Sequence, residues 1–311
     1  MNEIVVAKHL ALDGPPPIWG WELPVDLFLA QTAAGVLLVT ALGVWWAGPP
    51  RSAALRWARF APAALLAGAL GALFLDLACK PHFWRFFAVV RPSSPMSLGA
   101  WILLLSYVVG FVWAMAGLDD AQAAFVARFW DRLRLGGAVR TTRRLALAHE
   151  RKVRVAALAS AVALGGYSGV LLSLMTARPL WNSTLVGPIL LASGVATGTA
   201  LMLLFRVDPA EQAWLERVLL WAVGVEAALI VGCGVGLAHG GSAARAAVDC
   251  VAVGRFAPAF WALVVAAGLA VPVLLQVEAR RLRVRPTLVA PVLVLLGGLA
   301  LRWILIVAGQ A

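Results

Sequence analysis

"SLGAWILLLSYVVGFVWAMAG", residues 97–117, decides the fold: 21 consecutive residues carry no charged side chain. About 20 apolar residues in helical form cross the hydrocarbon core of a bilayer. Strands of a membrane barrel are shorter and alternate polar with apolar, which this stretch does not do. Seven more stretches are long enough to cross, near 26–47, 61–79, 155–177, 184–205, 215–238, 256–277 and 287–308, and of these 155–177, 184–205 and 256–277 also carry no charged side chain. The whole sequence agrees, being 62% hydrophobic and 13% charged with mean hydropathy +0.88 over 311 residues. A soluble domain is nearer half apolar and a quarter charged. The expected fold is therefore an all-α polytopic membrane protein with eight transmembrane helices.

The net charge of +11 is distributed as a topology signal and not as a nucleic-acid surface. Of the 26 Lys and Arg, 18 fall in or beside the loops after the first, third, fifth and seventh helices, nine of them within 128–154. The opposite loops hold Lys8, Lys80, Arg85, Arg91, Arg178, Arg245 and Arg255. Short loops rich in Lys and Arg stay cytoplasmic, so both termini are expected to face outward. The segment "MNEIVVAKHLALDGPPPIWGWELPV" has too short and too acidic an apolar patch for a signal peptide. Residues 1–25 read as a retained outer-face tail, with Trp19 and Trp21 at the interface that tryptophan favours.

The longest connection, 118–152, falls after the third helix, so that 26–117 together with 153–177 makes one set of four helices and 184–311 the other. Ala121, Phe125, Phe129 and Leu133 recur every four residues, the spacing of a helical stripe. Arg128, Arg132, Arg134, Arg140, Arg143 and Arg144 make the same segment basic. Two readings stand: a cytoplasmic amphipathic helix lying on anionic lipid, or a solvated linker. Gly165 and Gly166 in the fourth helix, and Gly232, Gly234 and Gly236 in the sixth, read as points of close helix contact.

Several chemistries are excluded by inventory. His9, His82, His149 and His239 lie in loops or at helix ends, which disfavours a haem held between two intramembrane histidines. Cys79, Cys233 and Cys250 lack the spacing of an iron–sulfur or thiolate zinc site. No phosphate-binding Gly-Lys-Ser/Thr loop or serine-hydrolase elbow is present. No metal site is expected.

Ionisable side chains inside a membrane helix cost roughly 2.5–3.5 kcal/mol each on insertion scales, so each needs an account. At 1.5 Å rise per residue, Asp76 lies roughly 4–5 Å from the outer end of its helix, Arg302 roughly 9 Å, Tyr107 and Tyr167 roughly 15 Å, and Glu226 roughly 18 Å. Asp26 opens the first helix. Asp26 and Asp76 read equally as hydrated helix-end charges, Tyr107 as a packing aromatic, and His82 as an ordinary loop residue. Arg302 reads as the partner of a carboxylate. Tyr167 stands among glycines and a serine in "LGGYSGVLLS", which leaves space beside its hydroxyl. Glu226 is the hardest to explain away, since a mid-bilayer carboxyl must be paired, protonated or hydrated in a proton path.

The polar groups gather beneath the loop "CKPHFWRFFAVVRPSSPMSLGAW", residues 79–101, which carries prolines, aromatics and basic side chains together. Four stretches now resemble the NrfD family, the polysulfide-reductase-type membrane subunits of respiratory complexes. They are "DLFLAQTAAG" at 26–35, "LDLACKPHFWRFFAVVRPSSPMSLGAW" at 75–101, "GYSGVLLS" with "PLWNS" at 166–183, and "GGLALRWILIVAGQ" at 297–310. The resemblance implies two four-helix bundles in the bacterial inner (cytoplasmic) membrane, and no haem or iron–sulfur cluster in this subunit. It further implies a quinone site, for menaquinone or ubiquinone, at the outer face of the first bundle. Tyr167 matches the family's fourth-helix tyrosine associated with quinone. Some members carry a histidine between the tryptophans before the first helix, where this sequence has Trp19, Gly20 and Trp21. Asp76, His82 and Asp26 then become the candidate head-group partners, with Trp21 beside them.

What the resemblance implies is a quinone-reactive membrane anchor that exchanges electrons between the quinone pool and a ferredoxin-like iron–sulfur subunit. A catalytic subunit, molybdopterin or multihaem, would complete the complex. Lys80, Phe83, Trp84, Arg85 and Arg91 would face the iron–sulfur partner. Asp76, Glu226 and Tyr107 would carry protons, and Arg302 would hold a carboxylate in its charged state. A secondary transporter of a small organic acid or ion is the rival reading, with Arg302 and Glu226 as midplane ligands. It calls for unwound helices and inverted repeats. A purely structural anchor is the third. The charge asymmetry predicts that a reporter fused at Gly136 is active in the cytoplasm and one fused after Ala311 is active outside; cytoplasmic activity at the latter would overturn the orientation.

Overall fold

The computed structural model describes residues 19–77, 80–88, 91, 94–175, 177–282 and 287–310. Expectations for the tail at 1–18, for Cys79 and for Pro92 lie outside them. Among the described residues there is no β-strand, and eight helices are long and apolar enough to cross a membrane. These are span 1 (Glu22–Ala47), span 2 (Ala53–Asp76), span 3 (Pro95–Ala116), span 4 (Glu150–Ser173), span 5 (Val186–Leu203), span 6 (Pro209–Ala238), span 7 (Ala257–Leu282) and span 8 (Val289–Gly309).

Several boundaries fall outside the apolar runs because capping, and not hydropathy, sets a helix start. Span 6 begins six residues before its expected position. Asp208 accepts from the Ala210 N–H at 3.0 Å, Glu211 accepts from the Asp208 N–H at 3.3 Å, and Pro209 takes the first turn. That is a capping box with proline where its missing N–H costs nothing. Span 2 is two pieces, Ala53–Ala58 and Ala61–Asp76, because Pro62 starts a new helix and Ser52 caps the first. The connection after span 3 is likewise two helices, Asp120–Asp131 and Gly136–Ala148, joined through Arg134 in the left-handed region at φ 59°. Phe125, Phe129 and Leu133 are exposed there, while Val126 and Ala127 pack against Met115 and Val139.

Loop contacts sort the molecule into two faces. At the terminal face the Trp19 N–H donates to Gln310 Oε1 at 2.8 Å, and Gln310 Nε2 donates back to the Trp19 carbonyl at 3.2 Å. There too Trp181 Nε1 donates to the Leu305 carbonyl at 2.8 Å. At the linker face Glu211 accepts from the backbone of Arg51 and Ser52, and Arg56 pairs with Asp119 at 3.1 Å. Span 1 packs on spans 2 and 4, and span 3 on spans 2 and 4; span 5 packs on spans 6 and 8, and span 7 on span 8. Across these sets span 5 lies against spans 1 and 4, and span 8 against span 1.

Spans 1 and 5 form the centre. Ala33, Ala34, Val36 and Leu37 on one, and Leu190, Ala196 and Ala200 on the other, are fully buried. Their backbones touch: a Cβ on Gly35 would lie 1.8 Å from the Gly194 carbonyl oxygen, and one on Gly198 would lie 2.5 Å from the Val36 nitrogen. Gly194 and Gly198 form a Gly-x-x-x-Gly pair, whose small residues let membrane helices approach this closely. The glycine expectation needs correcting here. Gly165 does pack tightly, against Leu191, but a Cβ on Gly166, Gly234 or Gly236 meets nothing within 4 Å. Close contact depends on which face a glycine occupies, and composition does not report that. Outward faces carry exposed Trp221 and Leu105, as a lipid-facing surface does.

The crossing makes a direct prediction. Gly198→Ala gains about 0.8–1 kcal/mol of helix propensity but overpacks at a cost of about 1–3 kcal/mol. Both partners are backbone and have no rotamer to change, so the loss should dominate. Gly224→Ala meets nothing within 4 Å and keeps only the gain. Thermal loss of the monodisperse form in detergent should therefore come earlier for Gly198→Ala than for the native protein, and no earlier for Gly224→Ala.

Candidate functional site

Span 1 carries polar residues along its length despite its hydropathy. Asp26, Gln31, Thr32 and Thr40 are all buried. Measured from Glu22 they lie roughly 6, 14, 15 and 27 Å along the helix axis, against a hydrocarbon core of about 30 Å. Each meets a different neighbour, and together they define the site.

Near the terminal face, spans 1, 3 and 4 bring Asp26 and Tyr167 together. The Tyr167 hydroxyl donates to the Pro95 carbonyl at 2.7 Å, so it points at the residue where loop 79–94 enters span 3. Its ring lies over Gly99, where any Cβ would come within 2.0 Å of the hydroxyl oxygen. The space beside Tyr167 is thus made by Gly99 of span 3. Gly165 and Gly169, which flank the tyrosine in sequence, instead admit Leu191 and Gly187 of span 5. The Asp26 carboxylate acts electrostatically on Tyr167, and its Oδ1 is buried without a hydrogen-bond partner among the described residues.

Deeper, Gln31 Nε2 donates to the Ser168 hydroxyl of span 4, while Gln31 Oε1 is buried beside Gly194 of span 5 with no hydrogen-bond partner among the described residues. Thr32 and Thr197 join spans 1 and 5 at 3.0 Å. Arg302 of span 8 is wholly buried; its Nη1 donates to the Gly298 carbonyl at 2.7 Å and to the Ser193 hydroxyl at 3.0 Å. Ser193 also lies beside the buried Glu226 of span 6, and Glu226 and Arg302 attract one another. No direct ion pair joins them among the described residues, and Ser193 lies beside both. The Arg302 guanidinium also lies 5.7 Å from the Phe28 ring centroid, a cation–π distance. Its Nε and Nη2 have no hydrogen-bond partner among the described residues.

At the linker end, Trp113 Nε1 donates to Thr40 at 3.1 Å and the Arg59 guanidinium stacks 4.3 Å over the same indole. Glu150 lies within electrostatic reach of Arg59. Polar groups therefore run from Asp26 through Gln31 and the Ser193 cluster to Thr40 and Arg59. Unsatisfied buried groups cost about 1–3 kcal/mol each. Among the described residues, five of the nine buried side-chain atoms without a partner belong to Asp26, Gln31, Arg59 and Arg302 of this line, and the others to Gln122, Arg143, Arg154 and Gln276.

The remaining expected residues take other places. Asp76 is half-buried at the end of span 2, and His82 is exposed in the short turn Lys80–His82. Trp21 is half exposed just before span 1. Tyr107 packs with the apolar cluster around Leu66 and Leu103 and makes no hydrogen bond among the described residues. Lys80, Phe83, Trp84, Arg85 and Arg91 are all exposed on the terminal face, with Phe83 against Phe74 at 5.7 Å and Arg85 over Trp84 at 5.6 Å. Sequence reasoning missed Gln31, Ser168, Ser193 and Arg59. An amide in mid-span and a serine beside a Gly-x-x-x-Gly pair were the available signals.

Against known proteins, the family model described as "Polysulphide reductase, NrfD" matches residues 11–311. The C subunit of polysulfide reductase from Wolinella succinogenes is 28% identical, and the match spans 94% of both proteins. "Protein NrfD" of Escherichia coli K12 is 30% identical, covering 94% of this protein and 95% of that one. "Protein NrfD homolog" of Haemophilus influenzae is 23% identical over 97% and 99% respectively.

The Ser193 cluster generates a double-mutant test. Arg302→Leu removes the counter-charge and leaves Glu226 buried with a serine alone, a defect of roughly 3–5 kcal/mol for a broken buried pair. Glu226→Gln in the same protein removes the stranded charge. Folded yield and thermal midpoint should fall sharply in Arg302→Leu and recover in part in the double variant. No recovery would show that Glu226 is not the partner of Arg302.

Proposed function

The chain belongs to the NrfD family, and on that footing we propose that it is the quinone-reactive membrane anchor of a multi-subunit respiratory oxidoreductase. It exchanges electrons between the quinone pool, menaquinone or ubiquinone, and an iron–sulfur subunit that serves a separate catalytic subunit. The observation that carries this reading is the Tyr167 hydroxyl on the Pro95 carbonyl at the start of span 3, with the buried Asp26 carboxylate within electrostatic reach of it. The name of the Wolinella relative, one subunit of a polysulfide reductase, supports a subunit role.

Reducing a quinone takes two electrons and two protons, so the site needs a donor for a carbonyl oxygen and a carboxylate to relay protons. Tyr167 is the donor, its hydroxyl now satisfied by the Pro95 carbonyl and free to exchange that acceptor for a ligand oxygen. Asp26 is the relay, because its Oδ1 has no competing hydrogen bond among the described residues. Asp76 and His82 stand nearer the surface, where they exchange protons with water. Exposed Lys80, Phe83, Trp84, Arg85 and Arg91 form the docking surface for the iron–sulfur subunit, close above Pro95. Electron transfer then needs no cofactor in this subunit.

Gln31, Ser193, Arg302, Glu226, Thr40 and Arg59 extend from Asp26 toward the linker face, and we read them as a hydrated proton route across the membrane. In this reading spans 1–4 and 5–8 are two four-helix bundles joined at the span 1–span 5 seam. The terminal face looks outward from the bacterial inner membrane, and the basic linker face is cytoplasmic, as the positive-inside rule requires.

Quinone turnover by the assembled complex, normalised to its iron–sulfur content, tests the site. Tyr167→Phe loses one hydrogen bond of roughly 0.5–1.5 kcal/mol, which corresponds to a fall of up to about tenfold. Asp26→Asn keeps the shape but removes the proton carrier, and turnover should fall at least as far. Assembly should survive both. Native rates in both variants would move the quinone site away from spans 1, 3 and 4.

A further inference from the structure

Spans 6 and 7 are neighbours that make few contacts with one another, and between them lies a cleft of about 330 Å³. It is lined by Ile230, Gly234 and Leu237 of span 6, by Trp261 and Val265 of span 7, and by Ile304 of span 8. Its walls hold almost no polar atoms. Trp261 Nε1 is already given to the Ala252 carbonyl at 2.9 Å, and Cys233 to the Ser183 hydroxyl at 3.5 Å. An organic acid, an ion or a quinone head group would find no donor there. A hydrocarbon tail would find a complete apolar wall.

The dimensions and the local backbone agree with a tail that enters from one leaflet. The span 6 lining runs from Ala227 to Leu237, next to the terminal end of that helix at Ala238. Ten residues rise roughly 15 Å, half of a hydrocarbon core of about 30 Å. The span 7 wall is a run of π-helix, Phe260–Ala270, in which the Val271 N–H reaches back to the Ala266 carbonyl. Within this run Gly268 packs against Gly297 of span 8, while Trp261 and Val265 line the gap. Such π-helical turns often mark functional sites.

The mouth of the cleft discriminates between kinds of lipid. The helix Ser242–Ala252 lies over it, contributing Val248 and Ala252, and Arg245 shares their face at a spacing of three and seven. Arg255 follows three residues later. Neither arginine pairs with a carboxylate among the described residues; Arg245 Nε holds the Ala238 carbonyl and Arg255 lies 4.7 Å over the Phe256 ring. Two exposed cations at the membrane surface, above an apolar slot one leaflet deep, complement a phosphate bearing an acyl tail. A prenyl quinone has no anionic group to engage them.

We propose that this cleft is a binding site for an anionic phospholipid of the terminal-face leaflet, one acyl tail seated between spans 6 and 7 and the phosphate held by Arg245 and Arg255. The lipid completes the packing that spans 6 and 7 do not supply for each other. The site is separate from the Tyr167 region and does not depend on the quinone reading.

Membranes containing the full-length protein, incubated with phosphatidylglycerol that carries a photoactivatable diazirine midway along its acyl tail, test the site by peptide mapping of the label. Label should concentrate severalfold on Ile230–Leu237 and on Trp261–Val265 relative to exposed Val108 of span 3. Gly234→Leu, whose side chain enters open space, should abolish that excess and leave Val108 labelling unchanged. Arg245→Gln with Arg255→Gln should equalise labelling by phosphatidylglycerol and phosphatidylcholine probes. Equal labelling of cleft and Val108 in the native protein would overturn the proposal, as would excess labelling by a photoactivatable prenyl quinone that phosphatidylglycerol fails to displace. If Gly234→Leu does not accumulate, the native label map decides alone.

Discussion

The backbone-to-backbone crossing of spans 1 and 5 is the constraint on which the rest of the structure rests. In lipid there is little hydrophobic drive between helices, so close van der Waals packing of small residues must hold them. Gly35, Gly194 and Gly198 bring the two backbones into contact. Span 4 enters the same seam by stacking Gly169 on Gly187. Every other span then packs outward from this pair, and the exposed faces of spans 3 and 6 are left to lipid.

The same crossing explains how so apolar a helix carries buried polar groups. Because span 5 lies flush on span 1, Gln31 and Thr32 are sealed against Ser168, Gly194 and Thr197 and away from lipid. Arg302 follows the same logic: it is placed where spans 1, 5, 6 and 8 converge, with Ser193 between it and Glu226. A charge at that depth is tolerable only with a partner or water. The polar groups of spans 1, 4 and 5 lie along this glycine-closed seam, which keeps them out of lipid.

Two kinds of interior therefore coexist. The seam of spans 1, 4 and 5 is closed by glycines and holds the polar chemistry. The junction of spans 6 and 7 is open, apolar and lined by a π-helical run. The difference lies in which small residues find a partner. Gly198 touches backbone, while Gly234 faces the cleft with nothing within 4 Å.

The number of spans, the basic linker and the exposure of Phe125, Phe129, Arg85 and Trp84 were legible in the sequence, because uninterrupted apolar length and charge asymmetry act locally along it. Tyr167, Glu226 and Arg302 were legible for a related reason: polar groups in an apolar run stand out without knowledge of their neighbours. What they meet was not legible. That Gly99 makes room for Tyr167, that Asp26 is the carboxylate beside it, and that Ser193 stands between Arg302 and Glu226 depend on helix rotation and register. Those are set by side-chain contacts between segments as far apart as Gln31 and Ser168. Hydropathy reports that a helix enters the membrane but carries no information on which face it turns to its neighbours, and only the packed tertiary structure decides that.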